Sequence, residues 1–224
     1  MNADTFDAAS HWIVEFTKRS ERNSTVLLLT ILVAIAMLFT GTSLASNTDD
    51  TIKSTRTSEE FRFHDLDGKR YVLQTSAGKK ALVLIFVTTD CPIANSYQPL
   101  LARLHHDFHG KGFEFVMVHE GLEQTPKKLR EHATEYSIAS AVVTDAEHAL
   151  AHKVGAVKTP EAFVFGCDGV VLYQGRIDNL YQGFGKKRAS ATRDDLRVAL
   201  TEIDSGEKVG VPKTEAVGCS IPVK

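Results

Sequence analysis

Three cysteines, Cys91, Cys167 and Cys219, are the chain's thiol nucleophiles, and Cys91 has the setting in which a thiol does chemistry. It ends the stretch "VLIFVTTDC", where an apolar run stops at a polar knuckle just before "PIANSY" starts a helical pattern. Unpaired N–H groups and the positive dipole end of a helix favour thiolate over thiol at such a place. Asp90 opposes this, because a neighbouring carboxylate disfavours a second negative charge. The polar "TTDC" knuckle argues that Cys91 is not fully buried. A dithiol CxxC site would carry its second sulfur three residues on, where this chain has Ala94.

Three cysteines permit one bridge with one thiol left over. Cys219 lies in the tail "AVGCSIPVK", which resolves Cys91 only if it folds back to bring the Cα atoms within about 7 Å. Cys167 stands at a turn two residues before Gly169 and reads as incidental. Thr159-Pro160 opens a strand, and an X-Pro bond there is able to be cis. Arg176 would stabilise a thiolate if it were near one, but an ion pair with Asp178 is the favoured expectation. His105/His109 and His148/His152 are i, i+4 pairs with no acidic third ligand at a useful offset, so they read as solvated helix faces and no metal is expected. His119 closes the strand next to that of Cys91 and is the best second polar group for the same crevice.

The elements that must position these residues follow from periodicity. "EEFRFHDLDGKRYVL" alternates on both sides of Asp67-Gly68 and predicts a hairpin. "ALVLIFV" (81–87) is apolar on both faces, as in a central strand covered on both sides. Tyr97, Leu100, Leu101, Leu104 and Phe108 share one helical face that ends near Gly110. "FEFVMVH" (113–119) follows as a parallel strand. Thr125-Pro126 opens a helix with Leu129, Ala133 and Tyr136 inward. A short strand at 141–144, a helix over "AEHALAHKV" capped by Asp145, two strands about Asp168-Gly169, and a helix bearing Leu196, Leu200 and Ile203 complete the order. The thiol thus falls at the carboxyl end of the first central strand, where open α/β sheets place their chemistry.

A net charge of −2 over 224 residues, with 43% hydrophobic and 24% charged, suits one packed domain with appendages and gives no concentrated basic face for nucleic acid. "KKR" at 186–188 reads as a solvated loop. The N-terminus is separate. Lys18, Arg19 and Arg22 precede an apolar segment over 26–45, which is either a signal peptide cleaved after "SLA" or an uncleaved anchor in the membrane. Both alternatives export the remainder to a periplasmic or other extracytoplasmic space, where disulfides persist. The expected layout is residues 1–45 as signal or anchor, 46–57 as polar linker, 58–206 as the domain, and 207–224 as the tail with Cys219. Nothing in the sequence speaks to oligomers.

"ALVLIFVTTDCPIANSY", "VKTPEAFVF", "CDGVVLYQGRIDN", "TRDDLRVAL" and "AVGCSI" together resemble the redoxin-domain proteins of the thioredoxin-like superfamily, more narrowly the peroxiredoxin-like group with a single active-site cysteine. The similarity spans about residues 58–222. It implies an α/β thioredoxin-like fold, a central mixed sheet flanked by helices, with no cofactor. It makes Cys91 the redox cysteine and Thr159-Pro160 the cis-proline pair that borders the sulfur and binds an extended chain. Thr88 and Cys91 fit the latter half of the peroxiredoxin "PxxxTxxC" motif, with Leu84 at the proline position. The implied activity is disulfide exchange with a thiol or disulfide protein partner, or reduction of a peroxide, with Cys219 or a partner thiol resolving. The alternative is a binding module that holds Cu(I) through Cys91 and His119.

Overall fold

The computed structural model describes residues 61–73 and 78–222. The apolar segment at 26–45 and the linker at 46–57 lie outside the described residues. Among the described residues no helix is long and apolar enough to cross a membrane.

The hairpin comes first, β1 (Arg62–His64) antiparallel to β2 (Arg70–Val72). Its turn is made by the Asp65 carboxylate, which accepts the N–H groups of Asp67 and Lys69 at 2.9 Å each, with Gly68 at φ 84°. Aspartate forms such turns because its short side chain reaches backbone donors two and more residues on. Phe63 and Tyr71 stack across the pair, their ring centroids 5.6 Å apart.

The main sheet follows in the order β5-β4-β3-β7-β8. Its strands are β3 (Ala81–Val87), β4 (Phe113–Glu120), β5 (Ala141–Asp145), β7 (Glu161–Gly166) and β8 (Val171–Gly175). The first three run parallel, β7 runs antiparallel beside β3, and β8 runs antiparallel to β7 at the edge. The parallel strands need crossovers, which α1 (Pro92–His109) and α2 (Pro126–Glu135) supply. α3 (Ala149–Val154) leads through the two-residue β6 (Lys158–Thr159) into β7. This is the α/β thioredoxin-like fold with a mixed central sheet.

Every residue of β3 is buried, because alternate side chains enter two different cores. Ala81, Val83, Ile85 and Val87 face α1 (Tyr97, Leu101, Leu104, Phe108) and α4 (Asp195–Asp204), which contributes Leu196, Ala199 and Leu200. Leu82, Leu84 and Phe86 face Phe63 and Tyr71 of the hairpin together with Leu150 and Ala151 of α3. Full burial of a side chain of this size is worth about 1.5–3 kcal/mol, so the strand that delivers Cys91 is firmly held from both faces of the sheet.

Four details depart from the periodicity. The buried residues of α2 are Leu129 and His132, whereas Ala133 and Tyr136 are only half-buried. The helix after β5 starts at Ala149 rather than 146. Asp145 caps it by accepting from the N–H groups of Leu150 (3.1 Å) and Ala151 (2.8 Å). "KKR" is no plain loop: Lys186 and Lys187 form β10 (Lys186–Lys187), paired with β9 (Tyr181–Gly183). The tail is not without structure either, for Cys219–Ser220 form β11, antiparallel to β6.

Candidate active site at the carboxyl end of the central strand

Four residues after β3 ends, Cys91 caps α1, with Pro92 at the first helical position. The proline costs nothing there, since the first helical N–H has no partner within the helix. The Cys91 sulfur accepts from the Ala94 N–H at 3.5 Å, and its own N–H turns back to the Thr88 carbonyl at 3.3 Å. On the other side, the Cys91 thiol donates to the Thr159 carbonyl at 3.2 Å, directly before the cis Thr159-Pro160 bond. The Cys219 thiol donates to the Cys91 sulfur, 2.8 Å away.

The tail reaches this point by backbone pairing. In the β6–β11 register Cys219 faces Thr159 and Ser220 faces Lys158. Ile221 donates to the Val157 carbonyl at 3.0 Å and buries its side chain among Leu84, Phe163 and Leu150. Further back, Thr214 and Pro212 bond to Gln174 of β8. Gly175, at φ 141°, makes room there: a Cβ on it would stand 2.2 Å from the Thr214 hydroxyl.

This corrects the expectation that Cys91 is partly open. It is 1% exposed, because the tail strand and Thr159 cover it. Burial pushes its pKa up. The Cys219 thiol and the N–H groups of Ala94 and Cys219 outweigh this by hydrogen bonding to the sulfur, so the pKa falls below that of an ordinary thiol. Cys219 goes the other way, to about 11, through burial and its position beside the Cys91 sulfur. The pair is therefore unequal: Cys91 is the sulfur that ionises first, and Cys219 is the thiol that donates to it.

Asp90 does not oppose the thiolate as expected. It is exposed and held by Lys128, with Nζ 3.0 and 3.3 Å from the two carboxylate oxygens, and this pairing lowers its pKa. Arg176 pairs with buried Asp195 (2.6 Å), not with Asp178, which instead accepts from the Tyr97 hydroxyl and the Leu180 N–H. Thr88 contributes its carbonyl to the knuckle. Cys167 is exposed at the β7–β8 turn. His119 is fully buried, and its hydrogen bond goes to His132. His105 and His109 stack on one another at 4.7 Å, with His105 against Phe115. His148 is buried rather than solvated and bonds to Glu120 at 2.7 Å.

Three residues that sequence reasoning missed shape the site: Asn95, His132 and Gly218. His132 stands three residues after Leu129, so the helical period held the signal. Gly218 gave none, since its role is one of space. A Cβ there would lie 2.0 Å from the Thr159 carbonyl oxygen and 2.6 Å from its carbon. Gly218→Ala is therefore expected to lift β11 from β6 and to loosen the seat of Ile221 in its core. The rate at which oxidant links Cys91 to Cys219, followed by thiol trapping, should fall at least about tenfold, since sulfur–sulfur geometry is exacting. A wild-type rate would show that the tail is not held by this contact.

The AhpC/TSA family model matches residues 55–174. Among solved structures, a hypothetical protein from Sinorhizobium meliloti is 26% identical with a TM-score of 0.63, covering 72% of this chain and 90% of its own. An uncharacterized conserved protein from Geobacillus kaustophilus is 25% identical with a TM-score of 0.65, covering 74% and 89%. A search of curated proteins finds no match.

Proposed function

The chain belongs to the AhpC/TSA family of thioredoxin-like redoxins, and on that basis we propose that it is an exported thiol oxidoreductase with Cys91 as nucleophile and Cys219 as resolving thiol. The observation that carries this is the unequal sulfur pair, 2.8 Å apart at the end of β3. The Cys91 thiolate attacks a disulfide of a protein partner, forming a mixed disulfide and releasing one partner thiolate. Cys219 then loses its proton and attacks the Cys91 sulfur, which releases the second partner thiol and leaves a 91–219 bridge. The order of events is built in. Cys219 is a poor nucleophile while Cys91 is anionic beside it, and that hindrance ends once Cys91 is in covalent linkage. A hydroperoxide can take the place of the disulfide: the Cys91 thiolate takes its terminal oxygen as a sulfenic acid, the broken O–O bond releases the alcohol, and attack by Cys219 forms the 91–219 bridge and releases water.

Thr159 and Pro160 form the backbone edge on which a partner's extended chain binds once β11 has moved aside, with Thr88 at the rim. Export rests on the three cations ahead of the apolar segment at 26–45, and an oxidising space is where such a bridge persists. Stoichiometric oxidation of the reduced full-length protein by a small disulfide tests the scheme. Free thiols should drop from three to one, and peptide mapping should find Cys91 joined to Cys219 with Cys167 free. A bridge that uses Cys167, or none at all, would remove Cys219 from the proposal.

A further inference from the structure

α2 touches the Cys91 knuckle through two side chains one helical turn apart. From outside, Lys128 holds Asp90. From inside, His132 reaches Asn95, Nε2 to Oδ1, at 3.0 Å. Asn95 follows Cys91 by four residues on α1, and its Nδ2 donates to the Thr89 carbonyl at 2.8 Å. Beyond His132, Nδ1 meets Nε2 of the fully buried His119 on β4 at 3.3 Å. A continuous chain of three hydrogen bonds thus runs from the end of β4, through α2, into the loop that carries the sulfur.

One carbonyl fixes the direction of the whole chain. The Thr89 oxygen only accepts, so Asn95 presents its NH2 to Thr89 and its oxygen to His132. His132 must then carry hydrogen on Nε2, and when neutral it accepts on Nδ1. His119 then donates from Nε2, and its buried ring also meets the Met117 backbone. Burial keeps the bases neutral: it lowers the pKa of His132 and drives that of His119 down to about 3, where the His132 ring adds to the effect. The charged groups around His132 are Glu135 and Lys128 on its own helix and Asp90 on the knuckle.

We propose that His132 is a positioning residue for Cys91, acting through Asn95 to hold the Thr88–Cys91 knuckle so that the Ala94 N–H stays aimed at the sulfur. A core built only for stability would have no use for two buried imidazoles, since an apolar pair of similar shape avoids their desolvation. The Thr89 carbonyl sets which way the Asn95 amide faces, and the His132 N–H anchors its oxygen, which no apolar side chain can do. This role rests on Cys91 being the working thiol, but it is read out at the sulfur itself and not through turnover.

The experiment is a pH titration of the Cys91 Cβ carbon signal in reduced, full-length protein labelled with carbon-13 at cysteine Cβ, a readout that does not require access to the buried thiol. His132→Phe keeps the ring against Tyr136 and removes the donor to Asn95. The Cys91 midpoint should rise by about one pH unit, equivalent to about a tenfold smaller thiolate fraction below it. His132→Gln, which restores an N–H toward Asn95, should return the midpoint to the wild-type value although the link to His119 is lost. Asn95→Ala should reproduce the rise, and it carries the test if His132→Phe does not fold. A midpoint unmoved in Asn95→Ala, or moved equally by His132→Gln and His132→Phe, would overturn the inference while leaving the redox proposal standing. A wild-type protein that forms no 91–219 bridge would remove Cys219 from the redox proposal, whatever the midpoints show.

Discussion

Full-length protein carrying Cys91→Ser is expected to reduce neither disulfide nor hydroperoxide, with a loss of about three orders of magnitude or more, as when an enzyme loses its nucleophile. A serine hydroxyl is not ionised near neutral pH, so the hydrogen bonds from Ala94 and Cys219 would have no anion to stabilise. Cys219→Ser should behave differently. The first attack survives, because Cys91 keeps its helix terminus and the Ala94 N–H, but nothing displaces the partner from the Cys91 sulfur. Intact-mass spectrometry should then show a lasting adduct of one equivalent on Cys91, which added small thiol removes. Cys167→Ser should be indistinguishable from wild type, for that cysteine is exposed at the far turn of β7 and β8. Wild-type turnover in Cys219→Ser would end its role as the resolving thiol. Substantial turnover in Cys91→Ser would end the scheme altogether.

Stability should be greatest over a plateau from about pH 4.5 to 6.5 and fall on both sides, owing to two adjacent residues of β4. Glu120 is 2% exposed, and burial, together with the Asp145 carboxylate beside it, raises its pKa from 4.5 to about 9. The folded state therefore holds a proton that the unfolded chain has released. Its contribution is complete below pH 4.5 and declines as pH rises toward 9. His119 has the opposite sign. Its folded pKa of about 3 lies below the unfolded 6.5, so its contribution is complete above 6.5 and declines as pH falls toward 3. Between 4.5 and 6.5 the two slopes cancel. From 6.5 to 9 only the Glu120 slope remains, a loss of about 3 kcal/mol at 1.36 kcal/mol per unit. Urea unfolding across pH should show Glu120→Gln flattening the alkaline limb and His119→Phe flattening the acid one. An alkaline limb unchanged in Glu120→Gln would show that this carboxyl is not the group responsible.

How much of this was legible in the sequence differs from element to element. "ALVLIFV" declared itself a doubly covered strand because a run of seven apolar residues, rich in β-branched and aromatic side chains, is the length of a strand and short for a helix, and the thiol at its end followed. The hairpin at Asp65–Gly68 was equally plain, since its turn is made by local bonds alone. His132 was harder. Its neighbours Ala133 and Tyr136 fit an apolar face better, and only the partners on α1 and β4 explain why an imidazole is drawn inward. Arg176 was paired with Asp178 because the two are near in sequence, whereas the fold brings it to Asp195 on another element.

By itself the sequence determined what local forces and burial periodicity decide: the element order, the place of Cys91 at a strand-to-helix junction, and the absence of a second thiol at position 94. Tertiary structure alone decided how the single thiol acquires a partner. Cys219 is 128 residues away along the chain, and no periodicity relates the two. Their meeting depends on β11 pairing with β6, on Ile221 entering the core, and on Gly218 having no side chain to strike the Thr159 carbonyl. The burial of Cys91 has the same origin. A polar knuckle reads as open until a distant segment is laid across it, and the reward for laying it there is nonlocal, in hydrogen bonds and apolar area that exist only once the sheet has formed.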